Sequence, residues 1–316
     1  MGDVIVSMEH ITKEFPGVKA LDDVKFNLRA GEVMALLGEN GAGKSTLMKI
    51  LSGVYSLDQG SLKIFGKDYS SLTPSSAREA GVAIIHQELN MCKDLTVAQN
   101  MFLGREERKG FVLNNSNMED IARKYLGELG VDISPDEIVG ELPVSKQQMI
   151  EIAKALSINA KILIMDEPTA VLTPQEIDTL MEFVRRYVEQ GNSVVFITHK
   201  MREVMAVSDT IVVMRNGSIC GTVKKTDTSE AELAHMMIGR ELETLEKPGT
   251  EDMSNRRVRL AVKDLSIKPK DHTPLLEDIN FEIHEGEVLG FAGVSDNGQQ
   301  ELCEAIYGGI PITSGK

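Results

Sequence analysis

The sequence predicts an α/β fold in which a parallel sheet carries a phosphate-binding loop and is interrupted by a helical insert. Three observations predict it. Residues 38–46 read GENGAGKST between an apolar run, Val33-Met34-Ala35-Leu36-Leu37, and a helical continuation, Thr46-Leu47-Met48-Lys49-Ile50-Leu51. Further apolar runs of buried-strand type at 82–85, 161–165 and 193–198 lead into polar residues, respectively Gln87, the pair Asp166-Glu167, and His199. Between Gln87 and Asp166, residues 92–158 read mainly helical.

The loop is made of Gly38, Glu39, Asn40, Gly41, Ala42, Gly43, Lys44, Ser45 and Thr46 and fits G-x-x-x-x-G-K-[ST]. Its three glycines let the backbone curl so that successive N–H groups point inward at an anion. Lys44 supplies a point charge for β- and γ-phosphates, the Ser45 hydroxyl suits Mg²⁺, and the following helix presents a positive N-terminus. These residues imply that the chain binds a nucleoside triphosphate.

Within the insert, Ser116-Asn117-Met118-Glu119 reads as a helix start, with Ile121, Tyr125 and Leu129 expected on its inner face. The strand at 161–165 ends in two adjacent acids. A strand entering a loop accounts for them locally; beside a phosphate loop, Asp166 suits a water-mediated hold on Mg²⁺ and Glu167 suits polarising an attacking water. Thr173-Pro174-Gln175-Glu176 is a capping box with proline at the first helical position, followed by Ile177, Leu180, Met181 and Val184 at helical spacing. His199 and Gln87 each read locally as polar ends of strands, and in a nucleotide site as contacts near the γ-phosphate.

The length of 316 residues suggests about two domains. A net charge of −14 speaks against nucleic acid, whose phosphates need a basic face. No apolar stretch approaches the roughly 20 residues that span a bilayer, and no signal peptide opens the chain, so a cytosolic protein is expected. Cys92, Cys220 and Cys303 are scattered and lack metal spacing, which reads as reduced thiols.

The chain also repeats itself. Ala30-Gly31-Glu32-Val33 recurs as Glu285-Gly286-Glu287-Val288, and Leu21-Asp22-Asp23-Val24 as Leu276-Glu277-Asp278-Ile279, both at an offset of 255. In the same register Gly38 maps to Gly293, Gly43 to Gly298, Leu47 to Leu302, Gly53 to Gly308 and Gly60 to Gly315, which argues for duplication. Lys44, Ser45 and Thr46 become Gln299, Gln300 and Glu301, so weak or no catalytic nucleotide use is expected there. The expected domains are 1–245, a polar linker at 246–257, and a second copy at 258–316. About sixty residues cannot complete a domain of which the first copy takes about 240, so the second is expected to be a fragment or to dock on something else.

Taken together, the order of phosphate loop, Gln87, a signature segment, Asp166-Glu167, a D-loop at 170–173 and His199 resembles the ATP-binding cassette family. Within it, the segments Phe15-Pro16-Gly17-Val18-Lys19-Ala20-Leu21, 95–105, 149–156 and 234–242 look like the ATPase subunit of monosaccharide importers of the ribose, galactose and xylose type. The resemblance implies a P-loop NTPase fold with an antiparallel β subdomain, tandem cassettes, and ATP with Mg²⁺ as cofactors. It implies Glu167 as base, His199 and Gln87 beside the γ-phosphate, and Ser45, Gln87 and Asp166 around the metal. Phe15 would stack on adenine, although a core phenylalanine is the even alternative. Implied partners are transmembrane permease subunits, through them a periplasmic sugar-binding protein, and a second cassette, with the chain peripheral on the cytoplasmic membrane face. The family's Leu-Ser-Gly-Gly-Gln signature appears here as Leu142-Pro143-Val144-Ser145-Lys146. In a head-to-tail cassette pair this weakened signature would face the weakened loop at 293–300. The intact loop would then need a signature beyond residue 316, and slow hydrolysis by this chain alone is expected.

Three rivals remain beside this reading, one of them a non-catalytic regulatory or binding subunit, which an ATPase assay with the membrane subunits present would separate. Asn297-Gly298-Gln299 is also similar to second cassettes of nucleoside-type importers. A soluble tandem-cassette ATPase uncoupled from transport predicts basic patches, a long charged linker helix and two intact signatures, none of which the sequence offers.

Overall fold

The computed structural model describes residues 2–109, 112–239, 256–268, 275–293 and 297–316. The chain forms two compact units, Met1–Leu242 and Glu243–Lys316. Most of the expected linker, residues 246–255, lies outside the described residues.

The first unit is built on a six-stranded sheet. Its centre is β3 (Val33–Leu37), flanked in parallel by β10 (Ser193–Ile197) and β11 (Thr210–Arg215). Beyond β10 lie β9 (Ile162–Asp166) and β6 (Val82–Ile85), and β12 (Ser218–Lys224) closes the other edge antiparallel to β11. Every residue of β3, β9 and β10 is buried. That is why these strands read as continuous apolar runs rather than alternating ones: both faces are covered.

The two faces sort by parity. Leu163, Met165, Val194 and Phe196 enter the core shared with the helical insert and with α6 (Pro174–Glu189). Ile162, Ile164, Val195, Ile197, Met34 and Leu36 enter the opposite core. That second core is capped by α1 (Lys44–Leu51) and an antiparallel sheet in the order β2-β1-β4-β5. Those strands are β1 (Val4–Phe15), β2 (Val18–Arg29), β4 (Gln59–Ile64) and β5 (Lys67–Tyr69). Phe196 is fully buried, and Phe196→Ala is expected to cost about 3–5 kcal/mol, read as a lowered urea midpoint.

The insert holds α3 (Val97–Phe102), a short hairpin of β7 (Arg108–Lys109) and β8 (Val112–Leu113), α4 (Asn115–Glu128) and α5 (Val144–Leu156). The expected start at Ser116 is corrected to Asn115. The buried stripe of α4 is Met118, Ala122 and Leu126, with Leu129 just past its end, while Ile121 and Tyr125 are only partly buried. The expected face was one position off because Tyr125 sits on the flank, where its hydroxyl donates to Asn159 Oδ1 at 3.2 Å. Elsewhere the local signals agree with the structure. Thr173 and Glu176 close the capping box of α6, and Leu180, Met181 and Val184 are buried. The first unit is completed by α2 (Pro74–Glu79), α7 (Met201–Val207) and α8 (Glu230–Ile238).

The second unit repeats the start of the first: β13 (Val258–Ile267), β14 (Leu276–His284) and α9 (Gln299–Ile306). The pairs Met8↔Phe26 and Ile11↔Val24 recur as Val262↔Phe281 and Leu265↔Ile279. The first strand is therefore displaced by 254 positions and the second by 255, a one-residue difference that comparison at a single offset does not reveal. Glycines match as well: a Cβ on Gly43 would meet Ala20 O at 2.7 Å, and one on Gly298 would meet Leu275 O at 2.9 Å. One element does not repeat. The counterpart of β3 pairs with no strand among the described residues, and Val288 is 96 % exposed.

Candidate nucleotide site

The loop from Gly38 to Gly43 leaves the C-terminal end of β3 and turns into α1 at Lys44. Its glycines are required by geometry. A side chain at Gly38 would strike Met214 O at 2.4 Å, and Gly43 has φ 101°, in the left-handed region where a Cβ is strained. The Lys44 ammonium is buried and donates to the carbonyls of Gly38 (2.7 Å) and Glu39 (3.0 Å). Burial pulls the Lys44 pKa down, opposed by the carboxylates of Glu167 and Asp166.

A cavity of about 620 Å³ opens over this loop. Lys44, Ser45, Gln87, Asp166 and Glu167 line it, with Phe15 among the residues at its wall. Phe15 is 36 % exposed and meets the Tyr55 ring edge-on at 5.3 Å, so the alternative of a core phenylalanine is overturned. Another cavity, about 440 Å³, lies beside Lys161 and Asn192, at the opposite end of the sheet strands, and contains none of the expected site residues. In open parallel sheets ligands bind outside the carboxyl ends of the strands, which favours the first.

Glu167 is the hub. Its backbone is left-handed at φ 48°, and its N–H donates to Ile197 O at 2.9 Å, fixing it against the end of β10. Its Oε1 accepts from His199 Nδ1 at 2.9 Å and its Oε2 from Gln87 Nε2 at 3.3 Å. The structure thus joins three residues that sequence reasoning placed on separate strand ends. Asp166, one residue earlier, is held above its usual carboxylate range by burial, partly offset by a hydrogen bond from Ser45 and by Lys44. A hydroxyl and a buried carboxylate are hard oxygen donors of the kind Mg²⁺ takes alongside phosphate oxygens, so the residues fit that ion.

Two features escaped the sequence reading. His86 is half-buried beside Gln87, and burial lowers its pKa. Asn216 and Gly217, the turn between β11 and β12, line the cavity. Gly217 N–H donates to Ala42 O at 3.1 Å, and Asp22 N–H donates to Gly217 O at 2.9 Å, pinning this turn to the phosphate loop and to β2. An Asn-Gly pair between apolar runs is a hairpin signal that was available. The weakened signature lies outside the cavity: Pro143 caps α5, and Ser145 Oγ donates to Glu176 Oε1 at 3.0 Å.

A phosphate loop joining a central parallel strand to a helix, with two acids on the neighbouring strand end, defines a P-loop nucleotide-binding domain. Residues 21–170 match the ABC transporter family. The chain is 44 % identical over 314 residues to a putative ribose/galactose/methyl galactoside import ATP-binding protein of Albidiferax ferrireducens, covering 99 % of this chain and 61 % of that one. It is 44 % identical to a xylose import ATP-binding protein of Moorella thermoacetica, covering 98 % and 62 %. The chain therefore spans about three-fifths of the length of these relatives. Among solved structures, the ADP conformation of an ATP-binding cassette of an ABC transporter matches with TM-score 0.65 at 28 % identity, over 75 % of this chain and all of that one. Among the described residues no helix is long and apolar enough to cross a membrane.

Proposed function

We propose that this chain is the ATP-hydrolysing part of a monosaccharide importer. The observation that carries it is the convergence of Glu167, His199 and Gln87 beside the Lys44 loop, in a chain whose relatives are named as sugar import ATP-binding proteins. The triphosphate lies along Gly38–Thr46, where main-chain N–H groups and the Lys44 ammonium hold its charge. The Glu167 carboxylate takes a proton from the attacking water. Glu167 accepts from Nδ1 of His199, and a proton on Nε2 as well would let the same ring donate to the γ-phosphate. Ser45 and Asp166 would hold Mg²⁺, which supplies neutralisation of phosphate charge when bound. Phe15 would support the adenine ring. The inferred partners are membrane permease subunits, a periplasmic sugar-binding protein reached through them, and a second cassette, with the chain peripheral on the cytoplasmic face.

Titration calorimetry with MgATP tests the reading: saturable uptake is expected, and none at all would overturn it. The adenine contact has its own test. Phe15→Ala is expected to weaken ATP roughly tenfold, from about 1–3 kcal/mol of base–aromatic stacking, while leaving inorganic triphosphate affinity unchanged. Equal weakening of both ligands would remove Phe15 from the adenine site.

A further inference from the structure

The hydrolytic pair depends on two loops, one after β9 carrying Glu167 and one after β10 carrying His199. Neither loop is held in place by that single 2.9 Å hydrogen bond alone. Behind them, on the first turn of α7, lies Glu203, a carboxylate only 8 % exposed that does not line the nucleotide cavity. Its partners come from both loops. Thr169 Oγ1 donates to it at 2.7 Å, Thr198 Oγ1 at 3.0 Å, and the Lys200 ammonium lies 3.2 Å away. Thr169 stands two residues after Glu167, whereas Thr198 and Lys200 bracket His199. Both threonines are themselves 2 % exposed, so neither hydroxyl can turn to water instead. Lys200 crosses the same gap a second time, its Nζ donating to Thr169 O at 3.3 Å and its N–H to Thr198 Oγ1 at 3.1 Å.

We propose that Glu203 is a positioning residue: its carboxylate ties the loop of Glu167 to the loop of His199 and so sets the hydrogen bond between them. This rests on the reading of Glu167 and His199 as the hydrolytic pair. A buried carboxylate with two hydroxyl donors and one ammonium is satisfied; the same pocket without it leaves two buried hydroxyls and a lysine competing for new partners, and the loops separate to find them. A misplacement of about 1 Å at a reacting group costs on the order of 100-fold in rate. Since Glu203 touches none of the phosphate loop, the loss falls on kcat rather than on nucleotide affinity.

The test uses the full chain labelled with ¹⁵N, with the His199 imidazole signals assigned through His199→Gln. The wild type is expected to show the Nδ1–H of His199 held in a hydrogen bond. In Glu203→Ala this hydrogen bond is expected to be lost, and kcat to fall on the order of 100-fold, while the MgATP Kd stays within about twofold. Thr169→Val combined with Thr198→Val removes the two donors at nearly constant volume and is expected to give the same result, which keeps the proposal testable should Glu203→Ala fail to fold. In a His199→Ala background, Glu203→Ala is expected to cost less than about threefold more, because the hydrogen bond that Glu203 sets is already absent and coupled residues are not additive. An unchanged His199 signature in a folded variant, or a full further loss of rate in the His199→Ala background, overturns the proposal. A wild-type chain that takes up no MgATP would instead remove the functional reading beneath it, and that control is run first.

Discussion

Glu167→Gln is expected to lower ATP turnover on the order of 1,000-fold while leaving MgATP affinity within about twofold, because a general base contributes about 10²–10⁴ in rate and little to ground-state binding. The structure makes this substitution clean. The amide retains the shape of the side chain, and its oxygen can still accept from Gln87 Nε2 or His199 Nδ1, so the loop geometry has partners to hold it. The capacity to accept a proton is lost, together with one of the two hydrogen bonds that the carboxylate accepts. Normal hydrolysis by Glu167→Gln, followed by phosphate release, would show that the base lies elsewhere. A fall in affinity equal to the fall in rate would show that Glu167 serves binding.

Lys44→Ala is expected to fail at the earlier step, with MgATP affinity about 10–100-fold weaker, since a charge-assisted hydrogen bond contributes about 1.5–3 kcal/mol. Stability is expected to change little. Removing the ammonium takes away a buried charge, and it also strips a donor from the carbonyls of Gly38 and Glu39. These effects oppose each other, so calorimetry and thermal unfolding together separate loss of binding from loss of fold. The pH dependence follows from the direction of the shift. Burial places the Lys44 pKa below the usual 10.5, so as pH rises the free protein loses this proton sooner than an ordinary lysine would. Bound phosphates favour the charged form, hence ATP binding in that alkaline range takes up a proton. Lys44→Arg, which stays charged, is expected to bind without that uptake. Identical proton uptake in both proteins would assign it to another group.

Much of this site is legible in the amino-acid sequence, because its largest parts are local. Gly38, Gly41, Gly43, Lys44 and Ser45 lie within eight consecutive positions, and the strand before them and helix after them announce themselves by composition and period. The apolar runs ending at Asp166 and His199 are legible for a related reason: a strand covered on both faces has no polar alternation to blur it. Periodicity misleads at α4, where Ile121 and Tyr125 are apolar enough to suggest an inner face but lie on the flank of the stripe through Met118, Ala122 and Leu126.

The sequence by itself determined the phosphate loop, the strands that bear the acids and the duplication. Each depends on residues close together in the chain or on a pattern that repeats. Only the tertiary structure decided which strand ends meet. Gln87 and Glu167 are 80 positions apart and Glu167 and His199 are 32 apart; they converge because β6, β9 and β10 are neighbours in the sheet. It also decided that Phe15 faces the cavity rather than the core, that Asn216-Gly217 pins the loop, and that Glu203 lies behind the loops of Glu167 and His199. Strand order is set by which buried faces pack together over the whole unit, a sum over many distant contacts that no short window of residues contains.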